Sequence, residues 1–391
     1  MLSPEEIQEM SETLIQIYMQ IEDDLLLNVA GRFSILDEIP RETVAEWQTR
    51  KLMELGALRQ ECIKAISKHS GKTTREVEGI LKKAGYEALE YDEKVYKMAL
   101  SDGLLPYSPL PMKASPALQQ IIRGAIDNTR TYLNTVNTTA LQSAQDEFLR
   151  IVNQTYLETS LGITDYNTAM RKAVRQLADK GITGADYVSA TGRRTHNHID
   201  VAVRRCIVTS TSQTAGVMQE QRAKEWGSNL VEVSSHMDAR PSHAVWQGKI
   251  YSLDGSTDKY PNLAQATGYG TVTGLCGANC RHFFFAYLEG VSEKTYKPYD
   301  LEANQKAYEQ SQEQRRLERE VRKQKRRILT ADATGDGEMK FKSQLALKEK
   351  EMDLNDFLKK SGREPRTNRQ QVYGFGRSEA MQAVWAKRKA Q

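Results

Sequence analysis

The chain has 391 residues, of which 55 are Lys or Arg and 51 are Asp or Glu, so its formal net charge is +4. That length is enough for two or three domains. The sequence contains four Cys residues, an acidic N-terminal stretch and no run of about 18 apolar residues. These features argue against a disulfide-rich secreted scaffold, a secretory signal peptide and a membrane span, and they predict folding in the cytosol.

The first 105 residues have the apolar spacing of an α-helical module, with apolar side chains recurring at three- and four-residue steps. A second helix is predicted from about residue 40 to residue 66, and a third begins at a predicted cap at Thr73–Thr74. Four prolines between Pro106 and Pro116 end this module, because proline lacks the backbone donor that a helix needs.

Residues 117–229 are predicted to form a second helical module, whose elements are separated by Gly162, Gly181 and Gly184. Residues 230–290 differ, because they are rich in glycine and contain short β-like runs. Those runs are Val231–Val233, Lys249–Tyr251 and Phe283–Phe285. We therefore predict a small α+β domain after two helical modules.

The last predicted segment, residues 301–391, is basic, with 22 Lys+Arg against 14 Asp+Glu and a net charge of +8. Residues 301–331 favour a long helix without an apolar stripe, which is typical of a helix that bridges solvent or binds a partner. The predicted fold class is α+β, predominantly α, with helical N-terminal and central regions, the small Gly-rich domain and a charged helical tail.

Three of the six histidines and two of the four cysteines lie within 47 residues of the Gly-rich domain. They are His236, His243, Cys276, Cys280 and His282. Imidazole and thiolate are typical zinc ligands, and a metal can stabilise a small domain of this kind. The Cys-x3-Cys-x-His spacing differs from the usual Cys-x2-Cys pair, so two alternatives stay open: a hydrogen-bonded polar core with buried thiols, and a Cys276–Cys280 disulfide.

The same cluster, with Asp238 added, also permits a catalytic interpretation. A metal-dependent hydrolase, either a nuclease or a peptidase, could be centred on His236, Asp238, His243, Cys276, Cys280 and His282. Neither a His-Glu-x-x-His motif nor paired carboxylates accompany these residues. No signature supports a cysteine nucleophile either. The sequence therefore predicts no enzyme and no catalytic residues, and the hydrolase is kept as the alternative.

Two stretches of this domain form a combination that is long and ordered enough to suggest a family. Residues 235–251 read Ser-His-Met-Asp-Ala-Arg-Pro-Ser-His-Ala-Val-Trp-Gln-Gly-Lys-Ile-Tyr, and Thr267-Gly-Tyr-Gly270 precedes Gly274-Leu-Cys-Gly-Ala-Asn-Cys-Arg-His282. Together they resemble the phage minor capsid protein 2 family, which is related in arrangement to head-morphogenesis proteins of Mu-like phages. The layout of the upstream helices extends the resemblance over residues 1–290.

The resemblance implies a structural minor head protein of a tailed phage, present in several copies in the head or neck of the virion and assembled in the bacterial cytoplasm. It implies the portal protein and other head proteins as partners, with no membrane and no established enzymatic activity. We expect the helical region 1–222 to make the attachment.

Within a phage head, the anionic neighbour of a basic tail is packaged double-stranded DNA. The densest run of cations is Arg322, Lys323, Lys325, Arg326 and Arg327, which we predict to contact DNA phosphates. Two alternatives are a solvated helix held by Glu–Arg pairs and a helix docked on an acidic portal surface.

Overall fold

A computed structural model of the protein describes residues 4–34, 43–188, 192, 194–255 and 257–390. The helices are α1 Pro4–Ala30, α2 Val44–Met53, α3 Leu55–Ser101, α4 Pro116–Ser160, α5 Tyr166–Lys180, α6 Ile199–Trp226, α7 Pro241–Ala244, α8 Leu263–Thr267, α9 Leu301–Ala333, α10 Gly337–Ser361 and α11 Arg377–Ala390. Short 3-10 turns occupy Met112–Ala114 and Thr367–Gln370. The predicted fold class, predominantly helical α+β, is confirmed.

Within the described residues, five short strands form two antiparallel sheets. The strands are β1 Thr183–Val188, β2 Arg194–His198, β3 Leu230–Val233, β4 Ile250–Ser252 and β5 Phe284–Ala286. The first two form a hairpin, and the others form a sheet in the order β4-β3-β5, in which Val231 pairs with both Tyr251 and Ala286. The three β-like runs predicted in the Gly-rich domain are therefore confirmed as strands.

The chain divides into two compact units, each built from three separate stretches. Unit 1 consists of residues 1–15, 72–134 and 203–311, and unit 2 consists of residues 16–71, 135–202 and 312–391. The division into modules 1–105, 117–229, 230–290 and 301–391 stays a prediction. Among the described residues, no helix is both long enough and apolar enough to cross a membrane.

The helix boundaries follow from local side-chain chemistry. Helix α3 ends at Ser101 and α4 begins at Pro116, with the Ser115 hydroxyl accepting a hydrogen bond from the Leu118 amide at 3.4 Å. The break predicted from the proline cluster is therefore confirmed. Helix α2 begins after Thr43, which forms a reciprocal capping box with Glu46. The helix start predicted near residue 40 falls in residues 35–42, outside the described part of the chain.

Two local expectations were wrong. Thr73–Thr74 does not begin a helix but lies inside α3, because the small propensity penalty of Gly and Thr is outweighed by burial of Val77, Leu81 and their neighbours. Thr183–Val188 and Arg194–His198 pair as the antiparallel strands β1 and β2 rather than belonging to a connection between helices. At Gly184 a Cβ atom would lie 2.6 Å from the Ile199 Cα, so the close approach of this bulged strand to the start of α6 requires glycine.

Helix α9 has a buried side, which corrects the prediction of a helix without an apolar stripe. Leu317, Val321 and Ile328 are buried and pack with Leu347 and Leu354 of α10 in one cluster. Their spacing places them on one face of the helix. The many charged residues between them hid this face in the sequence.

Candidate functional site

The predicted His/Cys residues lie in unit 1, around the β4-β3-β5 sheet. His243 is on α7, whose first residue is Pro241, and Cys280 and His282 are on the segment that leads into β5. Trp246, Leu275 and Phe284 belong to the buried apolar cluster that includes Cys276 and Cys280. The site is therefore built into the core of this domain.

Tight glycine packing shapes the segment that carries the cysteines. A Cβ atom on Gly274 would lie 2.0 Å from the Gly268 carbonyl oxygen, so glycine is required where these two backbones meet. Helix α6 also holds the segment, since the Ser212 hydroxyl donates to the Cys280 carbonyl at 3.0 Å and the Asn279 amide donates to the Thr209 hydroxyl at 3.1 Å. These contacts fix the position of Cys280.

Three side chains converge at one point. The Cys280 Sγ atom lies 3.7 Å from the His243 Nδ1 atom and 3.7 Å from the His282 Nδ1 atom. The three atoms lie within 4.8 Å of one another, and all three residues are buried. This is the group of His, Cys, Asp or Glu side chains in the described residues whose donor atoms could hold a metal ion.

The opposite ring nitrogens of both histidines are bound to oxygen acceptors. His243 Nε2 lies 2.8 Å from the Thr273 carbonyl oxygen, and His282 Nε2 lies 3.0 Å from the Gln247 Oε1 atom. A carbonyl oxygen can only accept, so each Nε2 carries the proton and donates it. Each neutral ring therefore directs the lone pair of its Nδ1 atom towards Cys280.

Burial keeps these groups uncharged. It lowers the pKa of His243, and it lowers the pKa of His282 further because the nearby His236 and His243 rings also disfavour a positive charge. Burial raises the pKa of the Cys280 thiol. A thiol held protonated in this way is not the activated thiolate that a cysteine nucleophile needs.

The other two predicted ligands lie beside this group rather than in it. A Cβ atom on Gly216 would lie 3.1 Å from the Cys276 Sγ atom, so this thiol packs against α6. The His236 ring stacks on the His282 ring with centroids 4.3 Å apart, while its Nδ1 atom lies 2.9 Å from the Met237 carbonyl oxygen. All four cysteines are free, so Cys276 and Cys280 are not joined by a disulfide.

Asp238, the carboxylate of the alternative catalytic cluster, is paired with Arg281. Burial disfavours its charge, but the hydrogen bond from His236 and the Arg281 guanidinium outweigh that effect and hold the pKa of Asp238 below its ordinary range. Of the six residues proposed for a hydrolase, the structure brings the donor atoms of three to one point.

The five cations predicted to contact DNA lie on α9 in unit 2, and each has a partner within that unit. Arg322 lies 2.7 Å from Asp200, and Arg326 lies 2.7 Å from Glu22 and 3.3 Å from Asp23. Lys323, Lys325 and Arg327 are partly buried. Arg327 binds Asp179, Lys323 lies 3.9 Å from the same carboxylate, and Lys325 donates to the Gln370 carbonyl at 2.8 Å.

The carboxylates that pair with Arg322 and Arg326 were missed in the sequence. A signal was present, because Glu22 and Asp23 interrupt the apolar face of α1 between Ile21 and Leu25, and both are buried. A charged residue at a core position needs a partner of opposite charge. The sequence does not show which cation is that partner, because Asp23 and Arg326 are about 300 residues apart in the chain.

Comparisons with known proteins point in one direction. The family described as Phage minor capsid protein 2 matches residues 2–359. A structural protein of Lactococcus phage LL-H is 25% identical over 362 residues, covering 89% of this chain and 96% of that protein. A structural protein of Lactococcus phage mv4 is 37% identical over 106 residues, covering 26% of this chain and 85% of that protein. No solved structure matches the chain significantly.

Proposed function

The chain belongs to the phage minor capsid protein 2 family, and we propose that it is a minor head component of a tailed phage that docks on the portal at the inner side of the head. The observation that carries the proposal is the family match, which extends over residues 2–359 and so includes both units. The relatives are described as structural proteins, and the proposal assigns this chain a structural rather than an enzymatic role.

An exposed loop in unit 1 is suited to docking. Leu104, Tyr107 and Leu110 are 55%, 52% and 60% exposed, and all three lie in the proline-rich connection between α3 and α4. Large apolar side chains exposed together mark surfaces that bind other proteins. We name these three residues the docking loop.

Buried contacts and a hydrogen bond hold the docking loop in place. Leu105 is buried with Tyr96 and Trp226, whose rings stack at 5.3 Å, and the buried Arg222 donates to the Leu110 carbonyl at 2.9 Å. Ser108, Pro109 and Pro111, which are neighbours of the docking loop along the chain, line an open cavity of about 470 Å³ together with charged side chains of α3. A loop that is already ordered loses little conformational entropy when it binds, which favours affinity.

Quantitative mass spectrometry of purified phage heads tests this role. We expect far fewer copies than of the major shell protein, and cross-links from Lys97 or Lys113, which flank the docking loop, to the portal protein. Replacing Leu104, Tyr107 and Leu110 together by Ser should reduce incorporation by about tenfold or more. A tenfold loss of affinity corresponds to only ~1.4 kcal/mol of binding free energy.

A matched control is available in unit 2, where Leu157, Leu161 and Ile163 are 54%, 64% and 65% exposed. The same triple change to Ser there should leave incorporation unchanged. The proposal fails if the protein is absent from wild-type heads, if its copy number equals that of the shell protein, or if both triple variants are incorporated equally well.

The proposal also includes contact between segment 301–391 and packaged DNA. Its net charge of +8 supports this. Because the cations at 322–327 have internal partners, the contact would come from exposed cations such as Arg319, Lys359 and Lys360. Changing these three to Gln in the full chain should weaken duplex binding. It should also make the slope of log affinity against log salt concentration less steep, by about 0.9 for each lost phosphate contact. Affinity that does not respond to salt would remove DNA as a partner.

A further inference from the structure

We propose that His243, Cys280 and His282 form a metal centre that binds one Zn²⁺ ion per chain. This inference goes beyond the head-protein role and does not depend on portal docking. It reduces the five ligands predicted from the sequence to three, and it places Cys276 and His236 outside the ligand set. Three features of the cluster support it: the distances between the donor atoms, the positions of the ring protons and the chemistry of the donor groups.

The distances match those between ligands of one ion. Zinc binds sulfur at ~2.3 Å and imidazole nitrogen at ~2.0–2.1 Å with tetrahedral angles, which places two such ligands about 3.6 Å apart. The two Sγ–Nδ1 distances are both 3.7 Å. The two nitrogens, within 4.8 Å of each other, need only a small inward movement to complete the group.

Hydrogen bonds within the described residues leave this cluster incompletely satisfied. Both Nε2 atoms donate to carbonyl oxygens, so both Nδ1 atoms are acceptors that face the same thiol. The thiol has one proton, which can satisfy one acceptor at a time. A cation with three donors around it satisfies the sulfur and both nitrogens together.

The surrounding hydrogen bonds are those of a metal site. Histidines that bind metals usually donate their second ring nitrogen to a carbonyl or carboxylate oxygen, which fixes the tautomer and the ring orientation. Thr273 and Gln247 supply such acceptors here. Two imidazoles and one thiolate are a ligand set suited to zinc, and a single enclosed water molecule would complete the tetrahedron.

The burial of the site indicates a structural rather than a hydrolytic ion. His243, Cys280 and His282 are 2%, 1% and 1% exposed, so a macromolecular substrate has no access to them. The ion would join α7 to the segment before β5, on either side of the Gly-rich loops. In a domain with three short strands, this link would supply part of the folding free energy.

The test uses the full-length, untagged protein with its thiols kept reduced. Elemental analysis of protein purified without chelator should give about one zinc per chain. Replacing zinc by Co²⁺ should produce a thiolate-to-cobalt charge-transfer band and the intense visible bands of a tetrahedral ion. Cys280→Ser should lose the charge-transfer band, whereas the matched variant Cys276→Ser should keep it.

A milder variant covers the case in which Cys280→Ser does not fold. Gln247→Leu removes the oxygen that orients His282 but leaves all three ligands, and it should weaken Co²⁺ affinity about 10–100-fold. The proposal is overturned if folded wild-type protein takes up no stoichiometric zinc or cobalt. It is equally overturned if the charge-transfer band is absent from the cobalt protein, or if it survives Cys280→Ser and disappears in Cys276→Ser.

Discussion

Two buried polar clusters, one in each unit, differ in how their charge is balanced. In unit 2, Glu22, Asp23 and Asp200 face Arg322 and Arg326, and we call these five residues the ion network. In unit 1, His243, Cys280 and His282 are equally buried but uncharged. In the ion network, the negative charges are balanced by cations of the chain itself. In the His/Cys cluster, lone pairs of nitrogen and sulfur face one another with no positive charge between them.

The ion network contains three carboxylates and two guanidinium groups. One of the carboxyl groups, Asp23, compensates for the excess of negative charge by holding its proton more tightly. Burial, with the Glu22 charge adding to it and Arg326 opposing it, raises the pKa of Asp23 to about 7. Asp200 shows the reverse, since Arg322 and His198 outweigh its burial and hold its pKa below the ordinary range. The difference between the clusters teaches that burial alone does not determine function; what matters is whether the chain supplies the opposite charge.

The largest effect should come from breaking the ion network. Arg326→Met removes the cation between Glu22 and Asp23 and leaves two buried carboxylates, which we expect to cost about 3–5 kcal/mol of unfolding free energy. Urea denaturation of the full chain measures this loss. Adding Glu22→Gln and Asp23→Asn to the same variant should recover part of it, because the uncompensated charges are then removed.

Arg316→Met is the control on the same helix. Its guanidinium pairs with Glu313 at 2.7 Å, but its side chain is 54% exposed, and solvent-exposed pairs contribute about 0–1 kcal/mol. An equal loss of stability in the Arg316 and Arg326 variants would contradict the distinction between buried and exposed pairs.

A buried carboxyl group whose hydrogen bonds come from neutral groups provides the second test. Asp92 in unit 1 accepts from the Ala286 amide at 3.0 Å, and burial raises its pKa from 3.8 to about 7. Its proton is bound more tightly in the folded than in the unfolded protein, so stability is present below pH ~4 and is lost as the pH rises towards 7. The shift corresponds to about 4 kcal/mol.

Asp92→Asn should therefore gain stability relative to wild type as the pH rises from 4 to 7, which urea denaturation at several pH values measures. Asp165→Asn should instead lose stability relative to wild type above pH ~4, with the difference shrinking as the pH falls below ~4, because hydrogen bonds from Thr168 lower the pKa of Asp165. A stability difference for Asp92→Asn that is independent of pH would show that this carboxyl group is not shifted.

The smallest of the three effects should come from adding zinc. At a free zinc concentration 100 times the dissociation constant, an ion that binds only the folded protein stabilises it by about 2.7 kcal/mol. Hydrogen exchange should show the added protection around His243 and Cys280 and none around Arg326. Equal protection in both places, or none near the cysteines, would remove the contrast between the two clusters.

The sequence was sufficient where local chemistry determines structure. The proline cluster marked the break before α4, and the runs at Val231, Lys249 and Phe283 marked three strands. The family resemblance, carried by residues 235–282, was confirmed by the match over residues 2–359. In each case the signal lies in adjacent residues or in a motif that is rare by chance.

What could not be predicted depends on contacts between distant residues. The cations at 322–327 were interpreted as an external basic face, because nothing nearby in the sequence shows that Glu22, Asp179 or Asp200 pairs with them. Five His/Cys residues were grouped as ligands, because spacing alone does not show that the Cys276 thiol packs against Gly216. DNA binding and metal binding by these residues stay predictions.

The division of each unit into three separate stretches has a consequence for biosynthesis. Glu22 leaves the ribosome early, but Arg326 is translated about 300 residues later, so α1 emerges without the cation that neutralises it. At ~5–20 residues per second, the nascent chain carries these carboxylates unpaired for roughly 15–60 s. Unit 1 can close once Ser311 has emerged, whereas unit 2 also needs residues 312–391. Translation therefore imposes an order of folding in which the unit with the His/Cys cluster is completed first and the unit with the ion network last.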